Sequence, residues 1–118
     1  MSLTRIASKI FLPRQKELDR YNKNAVALQW QTLSNIVSEA QDTEYGRNHM
    51  FASINSYNDF ANNIPVNTYE ELKNDIDRMR HGESDVLWKG RVKWYAKSSG
   101  TTNDKSKFIP VSNEGLHH

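Results

Sequence analysis

The sequence predicts an α+β chain: an N-terminal helical half packed on the beginning of a β-sheet, with a polar loop between two strands. Three observations carry this. Apolar side chains recur at steps of three and four up to Gly82, they alternate with polar ones beyond it, and a Ser/Thr-rich stretch separates two short alternating runs. At 118 residues the chain is the size of one domain, and folding at this length buries roughly two thirds of the extended chain's surface. No repeat, low-complexity stretch or Gly/Ser/Pro-rich linker divides it. Residues 1–118 therefore read as one domain, helical over 1–82 and strand-loop-strand over 86–112.

Residues 2–11 predict a short helix from Leu3, Ile6, Ile10 and Phe11, closed by Pro13, because the residue before a proline is pushed out of the helical region. From Arg14 to about Ala40 there is neither Gly nor Pro. Leu18, Tyr21, Ala25 and Leu28 form one apolar stripe, and Val26, Trp30, Leu33 and Val37 a second. Two adjacent stripes make a broad face that asks for more than one neighbour. Any part of that face left uncovered favours self-association. Gly46 lies just beyond this helix, a usual place for a left-handed closing residue.

Ser56 to Asn62 predict a helix of one to two turns, ended by Pro65. Thr68 and Glu71 match the capping box, in which each side chain accepts a hydrogen bond from a backbone N–H at the helix start. Tyr69, Leu72, Ile76 and Met79 then line one face. Arg78, Arg80 and His81 complement the helix dipole in the last turn, and Gly82 closes it. After Gly82 the period changes to two. Val92, Trp94 and Ala96 alternate with Lys93, Tyr95 and Lys97 as a strand, and Lys107 to Ser112 fit a second.

Composition excludes several classes. The chain has no cysteine, so disulfides, thiolate catalysis and cysteine metal sites are out. No run approaches the roughly 18 apolar residues of a membrane span, and the start carries no long apolar stretch with a small-residue cleavage site. A cytoplasmic protein with no membrane partner is the expectation. His49, His81, His117 and His118 share no ligand spacing, so no metal site is expected. Trp30, Trp88 and Trp94 have basic neighbours, as in base-stacking surfaces. Trp30 and Trp94, however, fall in phase with the apolar stripes, so both are expected in the core and no nucleic-acid partner is expected. Glu70, Glu71, Asp75 and Asp77 are spread around one helix and read as its solvated face.

The net charge is +2, but positive charge is concentrated. Residues 89–107 carry Lys89, Arg91, Lys93, Lys97, Lys105 and Lys107 against Asp104 alone. A local positive field around a small polar loop suits an anionic ligand. Ser98, Ser99, Thr101 and Thr102 supply hydroxyls, Gly100 allows close backbone approach, and Lys105 and Lys107 add cationic donors. That is a phosphate-binding set. The same residue types also make ordinary polar turns, so chemistry alone leaves both readings open. It is not a Walker A loop, which needs G-x-x-x-x-G-K-[ST] ahead of a helix, nor a G-x-G-x-x-G or G-x-S-x-G element.

The run Ser98-Ser99-Gly100-Thr101-Thr102, followed by Lys107-Phe108-Ile109-Pro110, resembles the first ATP-binding motif of acyl-adenylate-forming enzymes. More narrowly, the chain is similar to the Gretchen Hagen family of acyl acid amido synthetases, known from plant auxin and jasmonate conjugation and also found in bacteria. Asp42-Thr43-Glu44-Tyr45-Gly46, Asn63-Ile64-Pro65-Val66, Thr68-Tyr69-Glu70-Glu71-Leu72, Gly82-Glu83 and Leu87-Trp88 fall where that family has similar blocks. Asn103-Asp104 departs from it, standing where a glycine usually follows the paired threonines; both residues tolerate positive φ better than most.

The resemblance implies the N-terminal portion of a larger adenylate-forming domain. It implies ATP with Mg2+, and a carboxylic acid activated as acyl-AMP and passed to an amine or amino acid. Ser98, Ser99, Gly100, Thr101, Thr102, Lys105 and Lys107 would bind the nucleotide's phosphates. No catalytic residue is assigned in this stretch, and the chain alone is expected to be inactive. The competing expectation is a helical self-association or protein-interaction module built on the face from Leu18 to Val37.

Overall fold

A computed structural model describes residues 3–98 and 106–117, with side chains from residue 12 onward. The described elements are α1 (Leu3–Ala40), α2 (Glu44–Asn48), α3 (Tyr57–Asn63), α4 (Tyr69–Arg80), β1 (Trp94–Lys97) and β2 (Phe108–Val111), with 3-10 turns at Phe51–Ser53 and Glu114–His117. The chain divides into two compact units, Met1–Leu33 and Ser34–His118.

The first unit is helical along its described length except at one break. Pro13 lies inside α1 and does not close a separate helix; the non-helical residue is Asn24, at φ −130° and ψ 25°. Proline removes one N–H and crowds the carbonyl four residues back. The break falls at Asn24 instead. The broad apolar face is not covered as its pattern asks: Leu18 is 55% exposed and Val26 73%.

The second unit holds every buried apolar residue among those described: Val37, Ala40, Phe51, Ile76, Met79, Val86 and Val92. Its first corner follows α1. The Thr43 hydroxyl donates to the Ala40 carbonyl (2.7 Å) and accepts from the Gly46 amide (2.9 Å), capping α2 at a position only 1% exposed. Gly46 therefore does not close α1 in the left-handed region. It sits inside α2, where a Cβ would lie 2.1 Å from the Ala40 carbonyl oxygen, so close approach of two backbones is what demands glycine. Two backbone bonds then tie α2 to a distant segment, from Glu44 N to Asp85 O (2.7 Å) and from Tyr45 N to Val86 O (3.0 Å).

The local signals for α3 and α4 hold. Ser56 caps α3, its hydroxyl accepting from Asp59 N. At α4 the capping box closes in both directions: Thr68 Oγ1 accepts from Glu71 N, and Glu71 Oε2 accepts from Thr68 N at 2.6 Å. Gly82, at φ +99°, follows the helix. Ile76 and Met79 face inward, and Met79, Val86 and Val92 form a cluster against which Leu87, Trp88 and Tyr95 pack. The Arg78 guanidinium, also on α4, pairs with Glu44, Asp75 and Glu83, joining α2 to α4 and its exit.

β1 and β2 form an antiparallel two-stranded sheet, with Trp94 opposite Val111 and Lys97 opposite Phe108. The α+β class is thus observed. Trp94 corrects the expectation of a core position, for it is 58% exposed. The strand begins only at Trp94, so Val92 lies outside the pleat and the two are not held to one face. Tyr95 is the strand residue that packs against the Met79 cluster.

Candidate functional site: the root of the polar loop

Of the residues expected to bind phosphate, Ser98 and Lys107 are described. Ser99, Gly100, Thr101, Thr102 and Lys105 lie outside the described residues. Ser98 and Lys107 close the ladder where the two strands meet the loop. The Ser98 amide donates to the Lys107 carbonyl (2.9 Å), and the Lys107 amide donates to the Ser98 hydroxyl (3.3 Å). The loop therefore joins neighbouring antiparallel strands, as the alternating runs on either side of it predict.

Helix α4 braces the second of these strands. The Tyr69 hydroxyl accepts a hydrogen bond from the Phe108 amide (3.0 Å), and the Lys107 ammonium lies 5.4 Å from the centre of the Tyr69 ring. The Arg80 guanidinium stacks 3.7 Å from the centre of the Phe108 ring. Both distances lie within the range in which a cation is attracted to a ring face. Sequence reasoning placed Tyr69 and Arg80 only on the face and last turn of a helix. Their part in supporting β2 carries no local signal, since Tyr69 and Arg80 stand 39 and 28 residues before Phe108.

The positive stretch is divided by the fold. Lys89 is matched by Glu39 and Glu114, while Lys107 stands at the loop. Elsewhere the carboxyls are engaged by donors. Hydrogen bonds from Arg78 hold Glu44 and Glu83 below the ordinary glutamate value, and hydrogen bonds from Thr68, the backbone amide foremost, do the same for Glu71. Burial pushes the Tyr95 phenol up. His49 Nδ1 lies 3.1 Å from the Asn63 carbonyl and His81 Nδ1 2.7 Å from the Asp77 carbonyl. Among the described residues no three His, Asp or Glu side chains gather as a metal site. No helix among them is long and apolar enough to cross a membrane.

The described residues make helices followed by a β-hairpin whose two ends carry Ser98 and Lys107, and comparison with known proteins places the chain in a family. Residues 14–118 match the GH3 family N-terminal domain. The chain is similar to indole-3-acetic acid-amido synthetase GH3.15 of Arabidopsis thaliana, with 34% identity over 100 residues covering 84% of this chain and 17% of that protein. It is 31% identical to indole-3-acetic acid-amido synthetase GH3.5 of the same plant, over 84% of this chain and 16% of that protein. It is 29% identical to its 4-substituted benzoates-glutamate ligase GH3.12, over 86% and 18%. These relatives are, by name, ligases that join an acid to an amine. The chain belongs to the GH3 family, and it spans about 17% of the length of the first of these relatives.

Proposed function

We propose that this chain is the N-terminal part of an ATP-dependent acyl-adenylating ligase, which activates a carboxylic acid as acyl-AMP and conjugates it to an amine or amino acid. The observation that carries the reading is the loop root: in a GH3-family chain, a Ser/Thr/Gly loop leaves two antiparallel strands at a hydroxyl, Ser98, and an ammonium, Lys107. The donor set fits a triphosphate. Hydroxyls and cationic N–H groups meet phosphate oxygens, and charge-assisted bonds are about twice as strong as neutral ones. Bound ATP, with Mg2+ on its phosphates, supplies the phosphoanhydride that the acid's carboxylate attacks at the α-phosphorus, releasing pyrophosphate.

In this reading Ser98, Ser99, Thr101 and Thr102 hold phosphate oxygens, and Gly100 lets the backbone approach them. Lys105 and Lys107 balance the charge that develops as pyrophosphate leaves, a task of positioning and electrostatics. Gly100→Val in the full-length protein is expected to abolish acid-dependent ATP–pyrophosphate exchange; retained exchange overturns the reading. The 118-residue chain alone is expected to show none.

The exposure of Leu18, Tyr21 and Val26 on α1 favours a second reading, an interaction module that self-associates through this face. Sedimentation with and without Mg-ATP separates the two. A discrete oligomer indifferent to nucleotide supports the module.

A further inference from the structure

We infer that Tyr69 is a positioning residue for Lys107, its hydroxyl and ring fixing the strand root from which that lysine reaches the nucleotide. The inference rests on the ligase reading above and deepens it.

In an antiparallel pair, residues alternate between those whose N–H and C=O face the partner strand and those whose groups face away. Lys107 turns both groups toward Ser98, so the amide of the next residue, Phe108, points to the outer edge of β2. An edge N–H of this kind is a donor in search of a partner. Here the partner is the Tyr69 hydroxyl at 3.0 Å.

Tyr69 is well placed to hold that edge. It is the first residue of α4, and the reciprocal Thr68–Glu71 cap fixes the backbone there. Its ring lies beneath the Lys107 ammonium at 5.4 Å, so one side chain holds the root by its tip and the lysine by its face. From the far end of α4, Arg80 covers the Phe108 ring at 3.7 Å. At 1.5 Å rise per residue the two ends of α4 stand roughly 16 Å apart, a gap that two long side chains can close on one strand residue. The core does not need the Tyr69 hydroxyl, because the buried cluster of Met79, Val86 and Val92 is made without it. Its contacts are with the loop's second root. Small displacements of a positioned group weaken it steeply, and about 1 Å can cost a hundredfold in rate.

The test uses ATP–pyrophosphate exchange by the full-length protein. Tyr69→Phe removes the hydroxyl and keeps the ring, and is expected to raise KM for ATP about fivefold, as the loss of one hydrogen bond would. KM for the acid and the thermal midpoint should stay unchanged. Tyr69→Leu removes the ring as well and is expected to raise KM for ATP further, to about twentyfold, once the cation–ring contact is lost too. An unchanged KM for ATP in Tyr69→Phe overturns the inference. So does a fall in midpoint that moves both KM values and kcat together, which marks a merely structural role.

Amide exchange of Phe108, followed by NMR in the 118-residue chain, judges the contact without activity. Tyr69→Phe is expected to speed it about tenfold, and equal rates overturn the contact. Absence of exchange activity in the unsubstituted full-length protein overturns the ligase reading and the role toward ATP, whatever the Phe108 amide does.

Discussion

At the scale of single residues, Gly46 and Thr43 show how backbone proximity constrains identity. A Cβ at Gly46 would fall 2.1 Å from a carbonyl oxygen that cannot swing aside, since it belongs to the last turn of α1. Gly46→Ala is therefore expected to destabilise the chain by about 3 kcal/mol, the upper end of ordinary overpacking costs, measured by urea unfolding. Thr43→Val keeps the shape but removes a buried donor–acceptor pair. It is expected to cost about 1–2 kcal/mol in the same assay. The glycine was visible in the sequence and its reason was not: position alone suggested a left-handed closing turn, whereas the constraint comes from Ala40. Trp94 teaches the same lesson. Its phase with Val92 held on paper, but the pleat starts only at Trp94.

Among elements, α4 is the member that the others use. Its capping box, its inward face of Ile76 and Met79 and its closing Gly82 were all legible, because each depends on residues within a few positions of one another. Its partners were not. Arg78 read as dipole compensation, yet the structure spends it on Glu44, Asp75 and Glu83. That arrangement gives a pH dependence whose sign is fixed. Glu44 and Glu83 are held below the ordinary glutamate value. A depressed carboxyl contributes stability above its unfolded pKa and loses it as pH falls through the folded one. The urea midpoint is expected to fall as pH drops below about 4.5. In Arg78→Met it should start lower at neutral pH and fall less in acid; an identical acid slope in both proteins would remove Arg78 from the account. The expected stop at Pro13 is absent, since the helix runs through it.

For the molecule as a whole, the two units differ in what holds them. Every buried apolar residue among those described lies in the second, from Val37 to Val92. A chain beginning at Ser34 is therefore expected to retain a cooperative unfolding transition, followed by far-UV circular dichroism. A non-cooperative melt would show that residues 1–33 are needed. The family expectation drawn from the ordered sequence blocks holds, since the GH3 N-terminal domain matches from residue 14 onward. The sequence also foretold a loop between paired strands, because alternation and turn chemistry are local properties. The bracing of that loop by Tyr69 and Arg80 was beyond it.

The Glu44 and Tyr45 amides bond to carbonyls of Asp85 and Val86, about forty residues away. Closing a loop of that length costs on the order of 3 kcal/mol of chain entropy before any contact repays it. Helix α4, in contrast, nucleates from its own cap within about a microsecond. The hydrogen-bonded rung between α2 and the Asp85–Val86 segment should thus form last, after the folding barrier has been crossed. Thr43→Val would then speed unfolding and leave refolding almost untouched.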